Sequence, residues 1–309
     1  MTVHMRKILP VLAFLAAVST VHGFELIVIG DSRAGVGNEF YQKARLIIND
    51  AIAYTERNYD NLVGIVMTGD YVKSGNNAGE WDAWIDAHER AFDYPIYPCV
   101  GNHDDEDAVC EWWDTDCEQE AYYTWNYYTT FKVERWWSED VEGLHVISID
   151  SNLEGFNDET HEGDALETIQ YAWFKEDLEM NRDKPMLVIW HDPAYASHSW
   201  FGEGHGSNRF MRNRYVSLCE QYDVKMIAYA HNHWYERFTV NGIKHITTGG
   251  GGATPLPLPC VWDRAEGSEV NKYGYHWCVL SLVDGIMKVT VIQHWTHRIL
   301  DYFEIPLEE

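Results

Sequence analysis

The sequence predicts an α/β fold built on a mainly parallel sheet with helices on its faces. From residue 24 onward, short β-like apolar runs alternate with segments of helical spacing. That β-α-β-α-β order is what a parallel sheet needs, because consecutive parallel strands require a crossover. The apolar runs also end in polar turns of one chemical character: Gly30-Asp31, Gly69-Asp70, Gly101-Asn102-His103-Asp104, His191 and His231-Asn232-His233. Strand ends are where α/β sheets build their sites. With 309 residues and 46% hydrophobic content, the chain can bury a sizeable core.

In chain order, residues 24–29 predict a strand running into the polar turn 30–35. Phe40, Ala44, Ile47, Ile48 and Ala51 recur at helical spacing, so a helix is predicted over 40–54. Residues 62–67 predict a second strand, 81–92 a helix and 95–100 a third strand. The acidic, aromatic segment 105–140 holds Trp112, Trp113, Tyr122, Tyr123, Trp125, Tyr127, Tyr128, Trp136 and Trp137. It reads as a lid or hairpin packed on the body, or as a wall facing substrate. Strands are predicted over 144–150, 185–190 and 224–227, and helices over 165–180 and 210–222. If the run from 224 stays a strand through His233, the imidazoles of His231 and His233 share a face and converge.

Residues 243–248 lead into Gly249-Gly250-Gly251-Gly252, a backbone that can pass close to a ligand because it lacks side chains. The tail 277–305 alternates apolar and polar residues about Asp284-Gly285, a hairpin signal. No repeat, linker or low-complexity tract interrupts the chain. Residues 24–309 therefore read as one domain with an aromatic insertion near 105–140.

Residues 1–23 have a basic start (Arg6, Lys7), an apolar stretch and short side chains before a cleavage expected after Gly23. This is a signal peptide, too short to span a bilayer, and it implies a secreted, periplasmic or lumenal protein. In an exported chain the six cysteines fit disulfides, with Cys110 and Cys117 as the local bridge. A net charge of -26 argues against nucleic-acid and anionic-membrane partners. A phosphate site here must supply its own local cations.

The strand-end residues Asp31, Asp70, Asn102, His191, His231 and His233 offer carboxylate, amide and imidazole donors with no thiolate. Such a set suits Zn, Fe or Mn. Paired ions need a shared carboxylate, and they lower the pKa of bridging water and hold phosphoryl oxygens. His103, beside Asn102, is placed to protonate a leaving oxygen.

The ordered series Gly-Asp, Gly-Asp, Gly-Asn-His-Asp, His and His-x-His resembles the calcineurin-like metallophosphoesterase superfamily over nearly the whole mature chain. The C-terminal half is similar to the purple acid phosphatases in His191-Asp192-Pro193-Ala194-Tyr195, Glu203-Gly204-His205-Gly206, 231–238 and 247–252. The resemblance implies a four-layer α-β-β-α sandwich of two mixed sheets. It also implies hydrolysis of phosphate esters, acid-phosphatase-like, by a metal-activated water. Two divalent or trivalent transition-metal ions (Fe, Zn or Mn) would be held, one by Asp31, Asp70 and His233, the other by Asp70, Asn102, His191 and His231. Asp70 would bridge them.

The chain departs from the pattern at two positions. Arg33 stands where the superfamily has a histidine ligand, and Lys73 where purple acid phosphatases have a tyrosine; Tyr71 has the wrong spacing. A guanidinium cannot ligate a metal but can clamp a phosphate. His198 and His205 are further candidates for phosphate or leaving-group contacts. Two alternatives remain: a relative that binds metal or phosphate without turnover, and a GDSL-type serine esterase using Ser32. The esterase reading lacks an aspartate three residues before His294 or His297.

Overall fold

Two mixed sheets stack face to face, and helices cover the outer face of each. The computed structural model describes residues 23–33, 39–105, 124–153, 165–197, 206–256 and 264–307. The signal peptide, the Cys110–Cys117 pair, His198 and His205 fall outside the described residues. Among those described, the first sheet has the order β13-β12-β11-β1-β2-β3. Its strands are β1 (Phe24–Ile29), β2 (Leu62–Met67), β3 (Ile96–Pro98), β11 (His276–Val283), β12 (Ile286–Gln293) and β13 (Ile299–Pro306). The second has the order β10-β8-β9-β7-β6-β5-β4. It is built from β4 (Trp137–Val141), β5 (Leu144–Ser148), β6 (Met186–Ile189), β7 (Met226–Tyr229), β8 (Tyr235–Val240), β9 (Ile243–Thr248) and β10 (Ser268–Lys272).

The parallel sets β1-β2-β3 and β5-β6-β7 are strands that the alternating pattern predicts, and β9 extends the second set in parallel with β7. The remaining pairings are antiparallel, so the two sheets are mixed, as the family resemblance implies. The C-terminal hairpin β11–β12 turns at Asp284 and Gly285, both with positive φ, and pairs antiparallel with β1. The pleat then sorts β1 between layers. Leu26 and Val28 join the core between the sheets, while Ile27 and Ile29 pack under α1 (Glu39–Asn58) with its Ile47, Ile48, Ala51 and Ile52.

On the far face, Phe174 and Leu178 of α4 (Ala165–Met180) meet Ile147, Val188 and Ile227. Phe174 is fully buried, so truncating it to alanine costs about 3–5 kcal/mol.

Two helices depart from the pattern read from sequence. α2 (Ala78–Ala87) stops at His88, and a 3₁₀ turn Glu89–Asp93 completes the run. The helix read over 210–222 is α5 (Arg209–Met211) and α6 (Ser217–Gln221) joined by a π-helical turn at Arg212–Val216. Of the aromatic insertion, α3 (Trp125–Phe131) packs Tyr127 and Phe131 against Tyr71. Trp136 and Trp137 line a cavity of about 470 Å³ with Arg135, Leu166 and Trp173.

Candidate metal centre

β1 delivers Asp31, β2 delivers Asp70, the turn after β3 carries Asn102 and His103, β6 ends at His191, and β7 leads to His231 and His233. Hydrogen bonds between the loops draw these ends together. The Asp31 amide donates to the Gly69 carbonyl (3.0 Å), and the Ala230 amide to the His191 carbonyl (3.0 Å).

The route to the imidazole pair differs from strand alternation. β7 stops at Tyr229, and His231 sits in a left-handed turn (φ 67°). The amides of Asn232 and Trp234 each donate two residues back, to Ala230 and Asn232. Tight turns, not a shared strand face, bring the two rings to the site. Asp31 (φ 54°) and Asp70 (φ 59°) are left-handed as well. Non-glycine residues in that region carry strain of about 1–3 kcal/mol each, a cost that clusters at functional sites. Glycines let the loops close over the carboxylates. A Cβ on Gly101 would meet the Asp70 amide nitrogen and Oδ1 at 2.3 Å each, and one on Gly249 would lie 2.6 Å from Asp31 Oδ2. The glycine run thus makes room for the protein's own chain.

Asp31, Asp70 and His191 are buried, and their ligand-type atoms lie within 4.8 Å of one another. The His191 ring Nδ1–H donates to the Thr68 carbonyl (2.8 Å), which leaves Nε2 as the lone-pair nitrogen. That Nε2 faces Asp70 Oδ1 and His231 Nδ1, each at 3.3 Å. His231 Nδ1 also stands 2.9 Å from Asn102 Oδ1, and its Nε2 lies 3.9 Å from Asp192. Neither Asp31 oxygen accepts a hydrogen bond, although the residue is fully buried. Unpaired buried carboxylate oxygens beside inward-facing imidazoles fit a cation. The electrostatics agree. Burial alone would raise the Asp70 carboxyl, but the imidazoles of His191, His103 and His231 when protonated, together with Arg33, hold it well below the usual carboxylate range, so it stands as an anion beside any cation that replaces those protons.

Asp104 is the residue that sequence reasoning left without a role. Its oxygens accept amides from Asp70 (2.8 Å), Tyr71 (2.8 Å), Val72 (3.3 Å) and Gly101 (2.8 Å), pinning the β2 loop to the β3 loop. It stands inside Gly-Asn-His-Asp, but the amides it gathers are visible only in three dimensions. Burial, then the charge of Asp70, push its carboxyl up to about 8 against those donors.

Arg33 lies inside the cluster. Its Nε is 3.1 Å from Asp70 Oδ2, and its Nη2 donates to His233 Nε2 at 3.4 Å. His233 fits that arrangement, since its Nδ1–H donates to the Thr254 carbonyl (2.8 Å). His233 Nε2 also lies 3.3 Å from Asp31 Oδ1. His103 donates its amide to Asp70 Oδ1 (3.1 Å) and its ring Nδ1–H to the Lys73 carbonyl (2.8 Å), which makes Nε2 its lone-pair nitrogen.

Lys73 is exposed and contributes its backbone here. The Tyr71 hydroxyl is turned into the core, between the Met67 and Cys99 carbonyls. Ser32 is buried and accepts the Trp84 indole N–H (3.1 Å), while His294 and His297 both pair with Asp50 of α1. Both histidines pack against Trp277, and the Ser32 hydroxyl is held by Trp84 instead of by an imidazole.

Buried carboxylates and imidazoles at the strand ends of two stacked mixed sheets are the arrangement that the metallophosphoesterase resemblance implies. The calcineurin-like phosphoesterase family model matches residues 24–235, and the chain belongs to that family, whose centre is dinuclear. No curated protein matches the chain in sequence. Among solved structures, the fold is similar to the purple acid phosphatase PPD1 from yellow lupin (Lupinus luteus) seeds. That match has a TM-score of 0.70 at 17% identity and covers 92% of this chain but 54% of the lupin chain. It is also similar to GAP50, the anchor in the inner membrane complex of Plasmodium, with a TM-score of 0.66 at 14% identity, covering 93% of this chain and 90% of that one. PhoD gives a TM-score of 0.57 at 10% identity, covering 88% of this chain and 66% of that one. The chain thus spans about half the length of the lupin phosphatase.

Proposed function

We propose that this chain is an exported, metal-dependent phosphoesterase that hydrolyses phosphate esters in acid-phosphatase fashion. The carrying observation is the pair of buried carboxylates, Asp31 with both oxygens unpaired, within ligand distance of His191. Transition-metal ions (Fe, Zn or Mn) bound there supply Lewis acidity toward a phosphoryl group and lower the pKa of water. Asp31, Asp70, Asn102, His191, His231 and His233 are the proposed donors. The chain's own residues do the rest. Arg33 holds phosphoryl oxygens and offsets the repulsion that a net charge of -26 imposes on an anionic substrate. His103 passes a proton through Nε2 to the leaving oxygen. His198 and His205 are proposed contacts of the same phosphorylated small molecule or phosphoester.

Export rests on the signal-like residues 1–23, and with it goes a disulfide between Cys110 and Cys117. Mass mapping that finds both thiols free would remove that bridge.

The test of function is turnover of a chromogenic phosphomonoester. Activity should vanish on chelation and return with a divalent transition metal; activity that survives exhaustive chelation overturns the reading. A second reading, binding without turnover, is favoured by one observation: Arg33 engages both Asp70 and His233. It predicts metal and phosphate binding with no turnover in the same assay.

A further inference from the structure

The proposed donors divide unevenly once their partners are traced. The first ion of a dinuclear centre would draw on Asp31, Asp70 and His233. Asp70 Oδ2 already faces Arg33 Nε at 3.1 Å, and the His233 Nε2 lone pair already accepts from Arg33 Nη2 at 3.4 Å. One guanidinium thus engages two of those three residues. It stays protonated, has no lone pair to give, and repels any cation placed beside it. Of that set, Asp31 alone keeps oxygens without a hydrogen bond.

Asp31 and Asp70 also face the His191 side. Asp31 comes within 4.8 Å of ligand atoms on both Asp70 and His191, and His231 Nδ1 lies 3.3 Å from His191 Nε2 and 2.9 Å from Asn102 Oδ1. These five residues form one contiguous set, in which the guanidinium engages only Asp70, at Oδ2, while Asp70 Oδ1 faces His191 Nε2 at 3.3 Å.

We propose that this chain binds a single transition-metal ion on Asp31, Asp70, Asn102, His191 and His231, and that the Arg33 guanidinium is the permanent second cation of the centre. The inference rests on the phosphoesterase reading and deepens it. A phosphoryl group is held between one exchangeable ion and one fixed side-chain cation, whose planar fork suits two phosphoryl oxygens. The fixed cation survives chelation, but the Lewis acid does not.

The test is metal stoichiometry with a spectroscopic readout. The full chain, purified, reconstituted with excess Mn2+ and desalted, should hold one ion per chain and give the paramagnetic resonance pattern of an isolated Mn2+. Arg33→His puts a ligand-type side chain in place of the guanidinium, and it should raise the content to two ions per chain with an exchange-coupled spectrum. Two ions or a coupled spectrum in the wild type overturn this inference and leave the phosphoesterase reading standing. A folded Arg33→His chain that stays at one ion overturns the role given to Arg33. A wild type that holds no ion overturns both readings. The wild-type measurement decides the stoichiometry even where the variant fails to fold.

Discussion

The two sides of the centre are held by different means. On the His191 side, the ring is aimed by the Thr68 carbonyl and the carboxylate loop is tied by Asp104 to backbone amides. On the His233 side, the ring is aimed just as well by Thr254, but its lone pair meets a guanidinium. Orientation is therefore equal on the two sides, and charge is not. A tautomer fixed by a carbonyl makes a nitrogen available; only the absence of a competing cation makes it available to a metal.

The largest break comes from the His191 side. His191→Ala removes the central lone pair and should strip the metal and lower kcat/KM by more than about 100-fold, beyond what loss of an orienting group produces. Metal retained at wild-type level would mean that the His191 side does not hold the ion.

His103→Ala should keep metal and slow turnover by about 100-fold or more on esters with poor leaving groups, with little effect on activated ones. Equal damage on both ester classes would count against a proton donor.

Asp104→Asn turns amide hydrogens toward amide hydrogens in a fully buried site and should cost at least about 3 kcal/mol of unfolding free energy, read from urea midpoints. A smaller loss would show that the β2 and β3 loops hold themselves.

Asp192→Asn is a finer probe. With Asp192 3.9 Å from His231 Nε2, metal affinity should drop about tenfold, measured by competition with a chelator. No change would show that Asp192 does not orient His231.

The smallest effect serves as a control away from the site. His145 pairs with Asp140 (2.7 Å) and Asp177 (2.9 Å). Burial opposes its charge, but Asp177 and then Asp140 raise its pKa above the ordinary value. Because the folded value is raised, the stabilisation is fully present below about pH 6.5 and fades as pH rises through the folded pKa. His145→Gln should therefore cost about 1.5–3 kcal/mol at pH 5, visibly less at pH 9, and leave metal content unchanged. A parallel loss of metal would couple this sheet edge to the centre.

Much of this molecule is legible in one dimension. The apolar runs give β1 and β2 to the residue, because a strand buried on both faces is mostly apolar. Ordered motifs name the donor types, because chemistry of that kind needs those side chains whatever their geometry. The His-x-His pair was legible for a reason the structure replaces: its turns, not strand alternation, bring the rings together. Asp104 was not legible, since nothing in one sequence counts the amides that will surround a carboxylate.

The sequence by itself determined the candidate donor set, its order along the chain and the arginine and lysine at the two positions where the resemblance implies ligands. Tertiary structure decided which nitrogen of each ring faces inward, which carboxylate becomes a clamp, and that Arg33 reaches a histidine two hundred positions away. The physical reason is range. Ligand identity belongs to the single residue, whereas tautomer, charge environment and the space for an ion are set by contacts between segments that only the folded sandwich brings together.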